Sequence, residues 1–582
     1  MKHWKFLLFF IIPLFVGCNS QNDGGDNNNP EKTSFRFVLE NAPQTYLLRE
    51  VNDYYSSVVL GQISEGLVKL DPKTLDVQPA LATSWETSND GSVYTFHLRK
   101  GVKFHDHPDF PNGKGREFNS SDVLFTYTLA SRKNEKETGS HAYNSFLKGT
   151  IVGSEAFHNE EASTIAGIKI IDNYTISFTL IHPDLNFVNK LASIYLAIVA
   201  KEIVEKNHET DLIGTGPFMY DKEISSPIPH VILKRNPNYY LKDENGRQLP
   251  YLDSVIIYYD NNQLEQLTMF EEGKLDFIQD IPPSKITEVL QERIKDFSGE
   301  PPLMKLSNDP LMSTQYYALN MNSPALKDVR VRQALNFAFD RDKMIAHAVN
   351  GRYTGATYGL VPPLPKEFPG YDFKAVEKNA YSYNPTKARE LMAQAGYPGG
   401  KGFPSLTLKF NVGTIHSAVA DEFRKQMEKE LHINVNLEGL SFEDKISDEQ
   451  LGKGDVFRTS WFADYKSPET FLLNFYGKLI PLDKSEASGV NSTRYNNPKF
   501  DALFEKAKIE KNIEKSNKLF SEAGVILMKD APVIVLWYGE QYIIQYFNVR
   551  NLETNAILYL DLTRVRVQDW TKEEYEAATH KK

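Results

Sequence analysis

The sequence predicts a large, multi-lobed α/β protein, and three observations carry that expectation. Its 582 residues exceed what a single hydrophobic core serves, so the chain should divide into two or more lobes. Its first half is rich in short segments that alternate apolar and polar residues, the period of half-buried strands. From about Asp328 the texture changes to helical spacing and includes a strand-helix-strand unit, so an α/β lobe follows the strand-rich part. The composition, 41% hydrophobic and 24% charged, fits a folded soluble protein, and 12% aromatic content favours strands and apolar-walled binding surfaces. A formal net charge of -10 without a clustered Lys/Arg run argues against a nucleic-acid partner.

At the N-terminus, Lys2 and Lys5 precede an apolar run from Phe6 to Val16, and small Gly17 stands before Cys18. This is the layout of a cleaved secretory signal over residues 1–17, too short to span a bilayer comfortably. The stretch "FVGCN" resembles a bacterial lipobox, with Phe15 where leucine is usual, which implies that Cys18 becomes the lipidated first residue. The other reading is an ordinary signal peptide with an incidental cysteine. Acyl chains on Cys18, palmitate among them, would hold the protein at a membrane surface. Residues 18–33 are polar, Gly/Asn-rich and aperiodic, hence a tether whose random-coil reach is roughly 20 Å. Cys18 is the only cysteine, which excludes an intrachain disulfide framework and a multi-cysteine metal cluster.

Strand signals follow in order. "FRFVL" presents Phe35, Phe37 and Leu39 on one face, "SVYTFHL" presents Tyr94, Phe96 and Leu98, and "TISFTL" presents Ile176, Phe178 and Leu180. Turn signals at Asn89-Asp90-Gly91 and Asp172-Asn173 delimit these runs. Next, Val331, Leu335, Ala338 and Phe339 share one helical face, Asp340 is placed to cap a second helix, and Gly351 is placed to end it. Asn384 and Pro385 open a further helix that stops near Gly396. Leu406, Leu408 and Phe410 predict a strand, residues 416–431 a helix, and Ile433, Val435 and Leu437 a second strand, a βαβ unit with parallel strands. Helices precede Pro532, "VIVLWY" returns as a strand, and the remaining tail reads as strand-like. A lobe inserted between two portions of another creates crossing strands, which serve as hinges.

Catalytic motifs are absent from the sequence: there is no G-x-S-x-G, no HExxH and no Walker-type GK[ST]. The loop "FHDHPDFPNGKGRE" carries His105, Asp106, His107 and Asp109, donors that could hold a divalent metal, although loops also collect such residues without ligating anything. A second constellation is "SWFADYKSPETF", where Asp464 sits among Trp461, Phe462 and Tyr465. Three roles are open to it: a solvated loop acid, a helix cap, or a buried acceptor for a ligand's ammonium group. Ser467 and Pro468 supply a natural cap and first-turn residue without it.

The segments "PALATSWETSNDGSVYTFHLRKGVKFHD", "IGTGPFMYDKEI", "LPYLDSVIIYY", "DVRVRQALNFAFDRDKM" and "WFADYKSPETFL" occur in this order along the chain, and together they resemble the extracellular solute-binding proteins of family 5, the peptide- and nickel-binding receptors of ABC importers. The resemblance implies a bilobal, periplasmic-binding-protein-like fold of the three-part type II kind, with a hinge and an interlobe ligand cleft. Mapped onto this chain, the base lobe would comprise residues 34–73, 201–314 and 536–582, the inserted smaller domain 74–200, and the second α/β lobe 315–535. It further implies that Asp464 pairs with a peptide's α-amino group and that Arg458 meets a peptide carboxylate, with Trp461, Phe462 and Tyr465 as aromatic walls. Two departures bear on substrate identity: Ser467-Pro468 follows Lys466 where the family often has Asp-Pro, and "HPDFPNGKGRE" interrupts a usual "FHDG" passage.

The expected protein is therefore no enzyme and needs no cofactor or metal. It is an exported monomer, periplasmic or extracytoplasmic, anchored by lipid, with a peptide ligand and an ABC permease and its ATPase subunits as partners. A receptor for an oligosaccharide or metal chelate on the same fold, a surface-anchored hydrolase, and a chaperone-like lipoprotein are the alternatives.

Overall fold

The computed structural model describes residues 33–133, 140–221, 229–483 and 485–579; Cys18, the signal segment and nearly all of the tether lie outside them. The alternating runs form strands with their apolar sides inward. Ser34–Leu39 buries Phe35, Phe37 and Leu39 and pairs in parallel with Ser254–Tyr259. Val93–Leu98 and Thr175–Thr179 pair antiparallel and, with Ala82–Thr87 and Ile168–Asp172 outside them, make a four-stranded sheet. Its Phe96, Ile176 and Phe178 pack on Val123 and Tyr127 of the helix Ser120–Ser131, which Asn119 and Asp122 cap reciprocally.

The second texture folds as its spacing requires. Asp328 caps Val329–Ala338, Asp340 caps Arg341–Ala348, and Asn384 caps Pro385–Gln394, each accepting a backbone N–H in the first turn. Gly351, at φ +74°, takes the left-handed conformation that ends the second of these. Leu406–Asn411 and Val435–Leu440 pair in parallel across the helix Thr414–Leu431.

A ten-stranded sheet unites the chain. Its spatial order is Val435–Leu440, Leu406–Asn411, Val456–Phe462, Met304–Leu319, Val533–Tyr546, Phe277–Ile278, Ser34–Leu39, Ser254–Tyr259, His230–Arg235, Phe218–Asp221. The two central strands, of 16 and 14 residues, run antiparallel, and among the described residues the sheet passes from one half to the other through them. Their register slips between Pro310 and Thr314, a bulge that bends the ribbon where the halves meet. Each half has its own core, one around Phe35, Phe37 and Ile257, the other around Tyr317, Leu335 and Phe423.

Past Tyr546 the tail departs from the strand-like expectation. Only Val549–Arg550 and Arg566–Val567 pair, and Lys572–Thr579 is helical, because Asn, Asp and Thr interrupt the alternation. Among the described residues no helix is long and apolar enough to cross a membrane.

Candidate functional site

A cavity of 560 Å³ lies beside the central strands, within the size range of ligand sites. One wall is the strand Val456–Phe462 and the turn after it. The facing wall is built by the start of the helix Tyr54–Leu60 and by the segment 192–195. Aromatic rings meet across it: Tyr54 stacks on Phe462 at 6.2 Å, Tyr55 meets Phe442 edge-on at 5.8 Å, and His141 lies 6.5 Å from Trp461.

Asp464 opens onto this cavity. The strand ends at Phe462, Ala463 turns into the core, and the Asp464 carboxylate is left between the walls. Its oxygens accept only neutral donors: Tyr195 OH to Oδ1 at 3.3 Å and Thr470 Oγ1 to Oδ2 at 3.2 Å. Among the described residues no cation stands within ion-pairing distance. Burial without a compensating charge lifts its pKa to about 6, against the pull of those two hydroxyls. Thr470, fully buried, also accepts from the Asp464 N–H and from Trp461 Nε1, both at 3.2 Å, so one hydroxyl positions the acid and the indole together.

Arg458 is the converse. It is 2% exposed, stacks over Trp537 at 5.0 Å, and donates to Thr459 O and to Gln315 Oε1. No carboxylate among the described residues pairs with it, and its Nε has no acceptor. Burial lowers its pKa to about 10, which still leaves it cationic at neutral pH. A lone carboxylate and a lone guanidinium, six residues apart, thus line the same cavity.

Of the three aromatic residues beside Asp464, Trp461 and Phe462 line the cavity, whereas Tyr465 does not. Tyr465 is 1% exposed and enters the core beside the four-stranded sheet, with its ring near Phe146 and 5.7 Å from Lys190 Nζ. The turn after the strand sends its side chain away from the acid two atoms of backbone earlier, so its role is packing. The capping expectation also shifts: Pro468 occupies the cap position of the short helix Glu469–Leu472, and Ser467 Oγ accepts the Glu469 N–H at 3.2 Å.

The loop behind Asp464 is fastened by a buried ion triad. Lys190 Nζ meets Asp184 at 2.7 Å and Glu469 at 2.9 Å, with side-chain exposures of 1%, 7% and 1%. Asn186 Nδ2 adds a bond to Glu469 at 2.8 Å. Burial opposes the charges on Asp184 and Lys190, yet Lys190 holds Asp184 below the ordinary carboxylate range, and the two acids hold Lys190 above the ordinary lysine range. Sequence spacing could not reveal this triad, nor Tyr195, which reaches Asp464 from 269 residues away.

Further cavity groups were not legible either. Glu65 accepts from Tyr239, Tyr240 and Thr215 at 2.8, 2.9 and 3.0 Å, and burial raises its pKa. His141 and His416 are held neutral by burial, with pKa values lowered to about 4 and about 3. The His105 to Asp109 group divides. His105 is a buried packing residue whose Nε2 faces Gly216 O and whose Nδ1 accepts from Gly214 N–H, and Asp106 pairs with Lys114 and Gly115 N–H. None of this group lines the cavity.

The family model described as bacterial extracellular solute-binding proteins, family 5 Middle, matches residues 76–480. The heme-binding protein A of Haemophilus influenzae is 29% identical over 491 residues, 81% of each chain. The oligopeptide-binding protein OppA of Bacillus subtilis is 25% identical over 569 residues, 95% of this chain and 97% of its own. Among solved structures, the oligopeptide-binding protein OppAIV of Borrelia burgdorferi superposes with a TM-score of 0.77 at 26% identity, covering 92% of this chain and 100% of that one. The fold is thus the bilobal α/β fold of these binding proteins, and the chain belongs to the bacterial extracellular solute-binding proteins of family 5, a family of binding proteins and not of enzymes.

Proposed function

We propose that this protein captures short peptides in the 560 Å³ cavity and hands them to the permease of an ABC importer. The observation that carries this reading is the pair of lone, opposite charges on one wall, Asp464 and Arg458, among aromatic side chains. An isolated buried ion is costly, and a ligand bringing the opposite charge recovers that cost as a charge-assisted hydrogen bond. A peptide carries both, an ammonium at one end and a carboxylate at the other. Six residues of chain separate the two side chains, which limits their Cα atoms to roughly 20 Å, so a peptide engaging both is about two to five residues long. The relatives named for oligopeptides support the same ligand class.

Asp464 receives the α-amino group, Arg458 the carboxylate, and Trp461 and Phe462 exclude water from both. Binding that bridges the walls favours the closed arrangement of the lobes, since only differential affinity shifts such populations. A Kd from micromolar to submicromolar, on the order of -8 to -10 kcal/mol, suits capture followed by release. The signal-like segment and the lipobox-like "FVGCN" support export and lipid attachment at Cys18, which would keep the receptor beside its permease.

Native mass spectrometry of freshly purified protein tests the ligand class. Co-purified masses equal to peptides of two to five residues are expected, released by unfolding. A cargo with the mass and visible absorption of a porphyrin, or that of a glycan, overturns the peptide reading.

A further inference from the structure

Away from the cavity, the loop that interrupts the small domain's strands closes on the segment leading back to the large sheet. Pro108 and Pro111, with Asn112 and Gly113 both at positive φ, fold residues 107–113 into a tight turn, and this brings Asp109 N–H to His107 Nδ1 at 3.2 Å. Across from the turn stand His208 and Asp211. His208 Nδ1 lies 2.6 Å from Asp109 Oδ2, and His107 Nδ1 lies 3.5 Å from the same oxygen. One donor atom from each of His107, Asp109 and His208 falls within 4.8 Å of the others.

We propose that His107, Asp109 and His208 bind a divalent cation of the zinc class, in a structural site separate from the ligand cavity. Zinc takes imidazole nitrogen and carboxylate oxygen at about 2.0–2.2 Å, which puts tetrahedral neighbours roughly 3.3–3.5 Å apart. The His107–Asp109 pair already has that spacing, and the His208–Asp109 pair, at 2.6 Å, needs to open by roughly 0.7–0.9 Å, which the exposed His208 side chain allows. The outer shell supports the assignment. His107 Nε2 faces Asp211 Oδ2 at 2.8 Å, an arrangement in which the N–H on Nε2 is donated to a carboxylate and the Nδ1 lone pair is left for a metal. The weak bond from the Asp109 N–H is what a cation displaces there. Among the described residues the opposing charge is Lys206 Nζ, 3.1 Å from Asp109 Oδ1, and its half-exposed side chain is free to turn to water. Oxygen and nitrogen donors without sulfur suit zinc over copper(I), and three protein ligands leave a fourth position for water. The cation would join segments about a hundred residues apart, so its effect is on stability and not on peptide binding.

The test uses the untagged mature chain after chelation, titrated calorimetrically with Zn²⁺ and separately with Co²⁺. One equivalent of Zn²⁺ is expected, with a melting temperature that rises with metal concentration and the intense visible bands of tetrahedral Co²⁺. His208→Ala should weaken Zn²⁺ binding about 100-fold or more and Asp211→Asn about 10- to 100-fold, with peptide affinity unchanged in both. Unchanged peptide affinity also reports that each variant is folded. Equal Zn²⁺ affinity in the parent and His208→Ala, or no Zn²⁺ binding by the parent, overturns the site.

Discussion

At the scale of single residues, Asp464 trades stability for binding. Folded, it titrates at about 6; unfolded, an aspartate titrates near 3.9. Between those values the folded protein holds the extra proton, so its stability falls as pH rises from 4 through 6 and remains at the lower level above. Holding the ionised form at neutral pH therefore costs ~3 kcal/mol. Asp464→Asn removes that cost, and urea unfolding of the ligand-free protein should show the variant more stable by ~1–3 kcal/mol at pH 7.5 and little changed at pH 4. Peptide binding runs the other way, because only the carboxylate pairs with an ammonium. Parent affinity should weaken about tenfold per pH unit below 6, and Asp464→Asn should show a distinctly shallower dependence, set by the other cavity acids. A variant that is no more stable at neutral pH places Asp464 in bulk water. The sequence could single out Asp464 because an acid amid three aromatics is anomalous at any depth. It misplaced Tyr465 because only the turn geometry tells which neighbour faces the cavity, and it missed Thr470 because a threonine three residues past a predicted cap has many ordinary uses.

Among elements, the turn that carries Asp464 depends on the strand before it and on the Asp184–Lys190–Glu469 triad behind it. Removing one partner of a buried pair leaves the other charge uncompensated, typically ~3–5 kcal/mol. Lys190→Met leaves the buried Asp184 and Glu469 without their shared cation and should lose stability of that order in urea unfolding and also weaken peptide binding, since Glu469 follows the turn that positions Asp464. A change under about 1 kcal/mol would mean the triad is wet and dispensable. The elements themselves were readable wherever a local rule sufficed. Caps at Asp340 and Asn384, the inward faces of Ser34–Leu39 and Val93–Leu98, and the parallel pair Leu406–Asn411 with Val435–Leu440 all follow from spacing. The triad was unreadable because Lys190 and Glu469 are 279 residues apart and either alone reads as a surface charge.

Over the whole molecule, the charges around the cavity set which cargo fits. Lys69 pairs with Asp561, Lys445 with Glu449, and Arg352 with Asp280, which leaves Glu40, Asp53, Glu65, Glu540 and Asp464 without an ion-pair partner among the described residues, against Arg458 alone. Burial raises the pKa of each of these five acids, the mark of carboxylates short of positive charge. Peptides with a Lys or Arg side chain should therefore bind at least ~10-fold more tightly than their Asp or Glu counterparts in competition assays at low salt. The reverse order would mean that Arg458 governs the cavity's field. That two-lobed plan was legible from chain length and from the change of texture near Asp328. The passage of one ten-stranded sheet through both halves was not, since it is made by Met304–Leu319 and Val533–Tyr546 pairing over more than two hundred residues.

The most direct measurement is calorimetric titration of the parent and Asp464→Asn with one basic tripeptide in free and N-acetylated forms. Acetylation should cost the parent ~2–5 kcal/mol and the Asn variant far less, because the ammonium has then lost its partner in either case. Equal affinity of the parent for both forms contradicts an amine-binding Asp464.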